Sequence, residues 1–209
     1  YYQQTHESAD PPEELAQNRQ LVLVTMQHLR EQAAPLLNVI HDEELVEKLI
    51  ESNMFNMETL EEKYGITEEV LELFYEYSRF LFDCGGYRDA ATYLKHYRAL
   101  KNRSNAVVEY FALWGKLAAD ILDGEYVEAA KDLNKIKDAV DSNGRLIALN
   151  PLQLLQNRTW LIHWSLFVYL HGQKNYTALI ELLISEKYLN TIQTNCPHIL
   201  RYLDRKSVV

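Results

Sequence analysis

Between Leu152 and Leu170 the chain reads LQLLQNRTWLIHWSLFVYL, and from Trp160 onward only His163 and Ser165 interrupt the apolar run. On a 3.6-residue helix Trp160, Leu161, Trp164 and Val168 fall on one face. Ile162, Leu166 and Tyr169 fall on a second, and Phe167 and Leu170 on a third. A helix that is apolar nearly all round has to be covered on several sides. The segment therefore predicts a central helix within a helical stack, with Trp160 and Trp164 in the core. A bilayer span is the rival reading. It fails because Gln153, Gln156, Asn157 and Arg158 occupy the first turns, leaving the apolar part short of the ~20 residues a span requires.

The rest of the chain points the same way. Glycine and proline number only seven and five among 209 residues, and no run sustains the alternation of a strand, so the reading is all-α. The balance is acidic, 30 Asp and Glu against 21 Lys and Arg, which argues against general attraction to nucleic acid or anionic lipid. The two cysteines, Cys84 and Cys196, lie far apart; they make no disulfide framework and suit a reducing, cytoplasmic setting. Phosphate-binding glycine loops, a nucleophile elbow and paired metal-ligand motifs are missing from the sequence, so neither enzyme activity nor a metal or cofactor is expected. Cys84 with His96, and Cys196 with His198, each lack the further group that a nucleophile or metal site needs. His163, between Trp160 and Trp164, is expected as a core histidine bonded to a backbone carbonyl.

Residues 1–10 are polar and without period, a frayed or linker segment. Residues 11–66 form N-terminal helices, and residues 67–206 a series of helical hairpins. The first helix starts at Pro11 and Pro12, uses Leu15, Leu21, Val22, Val24, Met26 and Leu29 as its apolar positions, and ends or kinks at Pro35. Residues 42–63 hold eight acids against two lysines. Glu43, Glu44 and Glu47 there are either a solvated face or a dock for a basic partner. Arg88, Lys95, Arg98, Lys101 and Arg103 make an opposite, basic stretch. It either compensates a helix dipole or contacts an acidic partner or RNA phosphates.

An internal repeat organises the middle. Gly85-Gly-Tyr87-Arg-Asp-Ala90-Ala91 with Leu94 returns 39 residues later as Gly124-Glu-Tyr126-Val-Glu-Ala129-Ala130 with Leu133. Glycine permits the tight turn, tyrosine wedges between helices, and the alanine pair lets two backbones approach closely. A weaker third copy runs from Gly172 to Leu182 with Tyr176. The pattern resembles tetratricopeptide-type hairpins at a longer period and predicts an irregular right-handed stack.

Several longer runs carry a more specific resemblance: Arg158-Thr-Trp-Leu-Ile-His-Trp-Ser-Leu-Phe-Val168, Leu113-Trp-Gly-Lys-Leu-Ala118, Tyr188-Leu-Asn with Ile192-Gln-Thr, and Cys196-Pro-His-Ile-Leu-Arg-Tyr-Leu203. With the Cys84-Gly-Gly-Tyr turn they make the chain similar, from about Ala16 to Leu203, to the e-type subunits of eukaryotic translation initiation factor 3. The resemblance implies a non-catalytic scaffold in a PCI-type helical-repeat arm, with the winged-helix end of the PCI module not included. It implies other subunits of that factor as partners, the d-type one among them, together with the small ribosomal subunit. RNA or ribosome binding through residues 88–103 is the alternative function. No membrane partner is implied.

Overall fold

A computed structural model describes residues 12–101, 106–142, 149–172 and 175–204. The expectations for residues 1–10 and for Arg103 lie outside the described residues. All the regular structure within them is helical. The chain divides into two compact units, residues 1–85 and 86–209.

In the first unit, α1 (Glu13–His41) is followed by α2 (Glu43–Glu51), α3 (Met57–Tyr64) and α4 (Glu68–Asp83). Here α1 packs against α4. Ala33, Leu36, Leu37, Val39 and Ile40 of α1 and Leu71, Phe74, Tyr77 and Leu81 of α4 are buried. Pro35 does not stop the helix, which continues through it for almost two more turns. Proline removes one backbone N–H and crowds the carbonyl of Glu31. Both Pro35 and Glu31 are exposed, so water can take the freed carbonyl, and the buried residues around Pro35 hold the helix. The burial expected near the start of α1 is absent. Leu15, Leu21, Val22 and Val24 are exposed, and the buried face begins only at Ala33. The unit boundary places α4, the expected start of the hairpin series, with the N-terminal helices.

The second unit runs through α5 (Tyr87–Leu100), α6 (Ala106–Asp123), α7 (Tyr126–Asp141) and α8 (Pro151–Leu166). A π-helical turn, Phe167–Gly172, prolongs α8. Then come α9 (Tyr176–Ile184), α10 (Glu186–Asn195), a 3-10 turn at Pro197–Ile199 and α11 (Leu200–Asp204). Neighbours in sequence pack as neighbours in space: α5 on α6, α6 on α7, α7 on α8, with α10 returning to α8. The repeat supplies the turns. Gly85 and Gly124 sit at φ +88° and +87°, left-handed values that a Cβ would strain. Ala90 and Ala129 are wholly buried and Ala91 and Ala130 nearly so. The third copy is weaker in structure too: Tyr176 is exposed, while Tyr126 of the second copy lies directly on Gly172.

The start of α8 is fixed locally. The Asn150 side chain accepts from the Gln153 N–H at 2.8 Å, and the Gln153 side chain accepts from the Asn150 N–H at 3.0 Å. This is a reciprocal capping box, with Pro151 at the first helical position. Burial on α8 is one-sided. Asn157, Leu161, Ile162 and Ser165, continued by Val168 and Tyr169, face the core. The Asn157 amide accepts from Tyr110 Oη at 2.8 Å and donates to the Gln153 carbonyl at 2.7 Å, so its polarity is satisfied where it is buried.

Candidate interaction surface

The placement of Trp160 corrects the sequence reading. It is 43% exposed and Trp164 is half-buried. Trp160 and Trp164 are joined by Phe167, 49% exposed, and by the exposed His171. Their spacing of four, three and four residues puts them along one side of α8 and its π turn. Trp164 and Phe167 approach at 6.0 Å, and Phe167 and His171 stack at 6.3 Å. From α6, Trp114 meets Trp160 edge to face at 6.1 Å and 83°, and Tyr110 meets Trp114 at 6.3 Å and 89°. Phe111 and Val107 of α6 are exposed. The second unit thus shows an aromatic ridge whose rings are braced by one another. The sequence reading erred because it took apolarity on three faces to mean cover on three sides. The spacing of Trp160, Trp164, Phe167 and His171 was the available signal for an outward face.

Charge is arranged differently from the two stretches that the sequence suggested. Arg88 Nε donates to Asp123 Oδ2 at 3.0 Å, and Arg98 pairs with Glu109 at 3.7 Å. Both pairs tie α5 to α6. Lys95 is exposed and Lys101 half-buried. On α2, Glu43 and Glu44 stand in the first turn, where they complement the helix dipole, and Asp42 caps Leu45 N at 3.1 Å. Glu44 pairs with Lys48 at 3.7 Å in a highly exposed contact, and Glu47 is exposed.

A buried ionic cluster escaped the sequence reading. Lys116 Nζ lies 2.6 Å from Asp120 Oδ2 and 2.9 Å from Asp132 Oδ2, with side chains 8%, 6% and 4% exposed. Lys135, at the surface, reaches the other Asp132 oxygen at 2.8 Å. Burial alone would lower the lysine's affinity for its proton, but hydrogen bonds to the two carboxylates hold it above its ordinary value. Burial lifts Asp120 above the usual carboxylate range despite Lys116. Burial acts on Asp132 too, yet bonds from Lys116 and Lys135 bring it below that range. The cluster joins α6 to α7 and offers no reactive group to solvent.

The thiols are not activated. Burial and Asp83 push the Cys84 thiol up, and burial does the same to Cys196. His163 Nδ1 lies 2.7 Å from the Thr159 carbonyl, the backbone bond that the sequence suggested. Among the described residues no three His, Cys, Asp or Glu side chains gather as a metal set, and no helix is long and apolar enough to cross a membrane.

The profile of the eIF3 subunit 6 N terminal domain family matches residues 1–81. The E-type subunit of eukaryotic translation initiation factor 3 from Aspergillus clavatus is 40% identical over 97% of this chain, which covers 44% of that protein. The Arabidopsis thaliana protein of the same name is 38% identical over 98% of the chain, covering 45% of its own length. That of Pyricularia oryzae is 37% identical over 93% of the chain. The chain therefore spans less than half the length of the relatives it matches. By these matches the chain is similar to one part of the E-type subunits of eukaryotic translation initiation factor 3.

Proposed function

We propose that the chain is a scaffold part of the initiation factor, without catalytic activity, and works in the cytoplasm. It supports assembly of the factor, and through it initiation on the small ribosomal subunit, by protein–protein contacts. The d-type subunit is among the partners that the family resemblance suggests. The observation that carries the scaffold reading is the exposed pair Trp160 and Phe167, backed by Trp114 and Trp164, which are partly buried against the core. Large, rigid aromatics held outward have the character of interface anchors, which give much contact area at little entropic cost. The buried Asn157, Lys116, Asp120 and Asp132 nearby are occupied in holding helices together, which suits a support more than a reaction centre.

RNA binding through residues 88–103 is the weaker reading, since Arg88 and Arg98 are already engaged with Asp123 and Glu109. The intact protein should co-purify with other subunits of the factor. Trp160→Ala combined with Phe167→Ala should weaken that association while leaving folding nearly unchanged. Failure of the intact wild-type protein to join the assembly would sink the proposal. Reversing Lys95, Arg98 and Lys101 should leave RNA binding as it was; a steep, salt-dependent loss would favour the RNA reading instead.

A further inference from the structure

The Cys196-Pro197-His198 turn lacks a second ligand in sequence, and the fold supplies one. His198 Nε2 of the 3-10 turn lies 3.2 Å from His163 Nε2 of α8, across 35 residues of chain. The rings face each other with centroids 5.3 Å apart and planes tilted by 44°. The Thr159 carbonyl, 2.7 Å from His163 Nδ1, can only accept a hydrogen bond. Nδ1 of His163 therefore carries a proton, and its Nε2 presents a lone pair toward His198. A ligating histidine is commonly oriented in this way, its second nitrogen bound to a backbone carbonyl. Two imidazole nitrogens on one tetrahedral metal, each ~2.0–2.1 Å from it, stand about 3.3 Å apart. That is close to the separation seen here. His163 is half-buried and His198 exposed, so the pair opens to solvent and water can complete the coordination.

We propose that His163 and His198 form a two-imidazole site for a divalent first-row transition metal of the zinc and copper class, a class that imidazole suits. Without metal, His198 Nε2–H donates to His163 Nε2. On binding, that proton moves through water to His198 Nδ1, both Nε2 lone pairs turn to the metal, and no net charge leaves the protein. The metal fastens α8 to the turn that follows α10, so its effect is to hold the end of the second unit in place.

The test is zinc titration of the intact protein by calorimetry, in parallel with His163→Gln and His198→Gln. One equivalent should bind to the wild type, and each substitution should weaken that equivalent by at least about tenfold, since altering merely a ligand's hydrogen-bond partner costs ~10–100-fold. Copper(II) added at one equivalent should show two nitrogen couplings in its paramagnetic resonance spectrum, a readout that needs no variant. Equal binding in His198→Gln, coupling to fewer than two nitrogens, or no binding to the wild type would each overturn the site and leave only a hydrogen-bonded histidine pair.

Discussion

Lys116→Met is the sharpest perturbation of the second unit. Methionine fills nearly the same space, so the change removes a charge more than a volume. It leaves the Asp120 carboxylate, 6% exposed, without its cation at 2.6 Å. Asp132 keeps only Lys135, at 2.8 Å. Breaking a buried pair by removing one partner costs about 3–5 kcal/mol, because the remaining charge stays desolvated. Domains are stable by only ~5–15 kcal/mol, so this is a large fraction. The pH dependence has a definite sign. With Lys116 gone, the proton affinity of folded-state Asp120, already raised by burial, rises further above its unfolded value, and Asp132 loses one of the two lysines that lower its own. The variant then regains stability as the pH falls from neutrality toward the carboxylate range, where the folded state takes up protons that the unfolded state does not. Urea unfolding followed by tryptophan fluorescence at pH 7 and pH 5 measures both effects. The penalty should be smaller at pH 5. Adding Asp120→Leu and Asp132→Leu should recover most of the loss, since a buried ionic cluster is often replaceable by apolar groups. A penalty below ~1 kcal/mol, or one that grows on acidification, would refute the account of the cluster.

Two further outcomes follow from packing. Leu161→Ala, at a wholly buried position, should cost about 2–5 kcal/mol, and Trp160→Ala, at an exposed one, clearly less; thermal unfolding that ranks them the other way would return Trp160 to the core. A Cβ at Gly172 would overlap Cβ and Cγ of Tyr126, so Gly172→Ala should cost about 1–3 kcal/mol. Much of that should be relieved in combination with Tyr126→Gly, which removes the overlapping Cβ along with the ring, as checked by denaturant midpoints.

Local chemistry was readable from sequence wherever the cause lay within a few residues. Gly85 and Gly124 announced tight turns, and the alanine pairs announced close approach. The capping box of Asn150 and Gln153 also lies within such a span, though the sequence reading passed over it. The misses share a different cause. Apolar periodicity shows that a face can be buried, but not that a neighbour arrives to bury it. That is why Leu21 and Trp160 were placed inside and stand outside. Pro35 does not end the helix for the converse reason: the carbonyl it leaves unpaired stands where the fold admits water. Lys116 and Asp132 are 16 residues apart on different helices, and His163 and His198 are 35 apart. No spacing rule links such pairs before the hairpins are packed.

The π turn at Phe167–Gly172 works as a phase shifter. Its bonds span one residue more than those of an α-helix, so by Gly172, its last residue, the chain is out of step with the α8 register by one residue, about 100°. The aromatic ridge runs through the turn at Phe167 and His171, and at the end of the turn Gly172 meets Tyr126. A purely α-helical continuation would turn Gly172 away and bring a residue with a side chain toward that ring. The glycine and the extra residue are therefore a matched pair, and deleting a single residue between Phe167 and Gly172 would disrupt the fit on both sides at once.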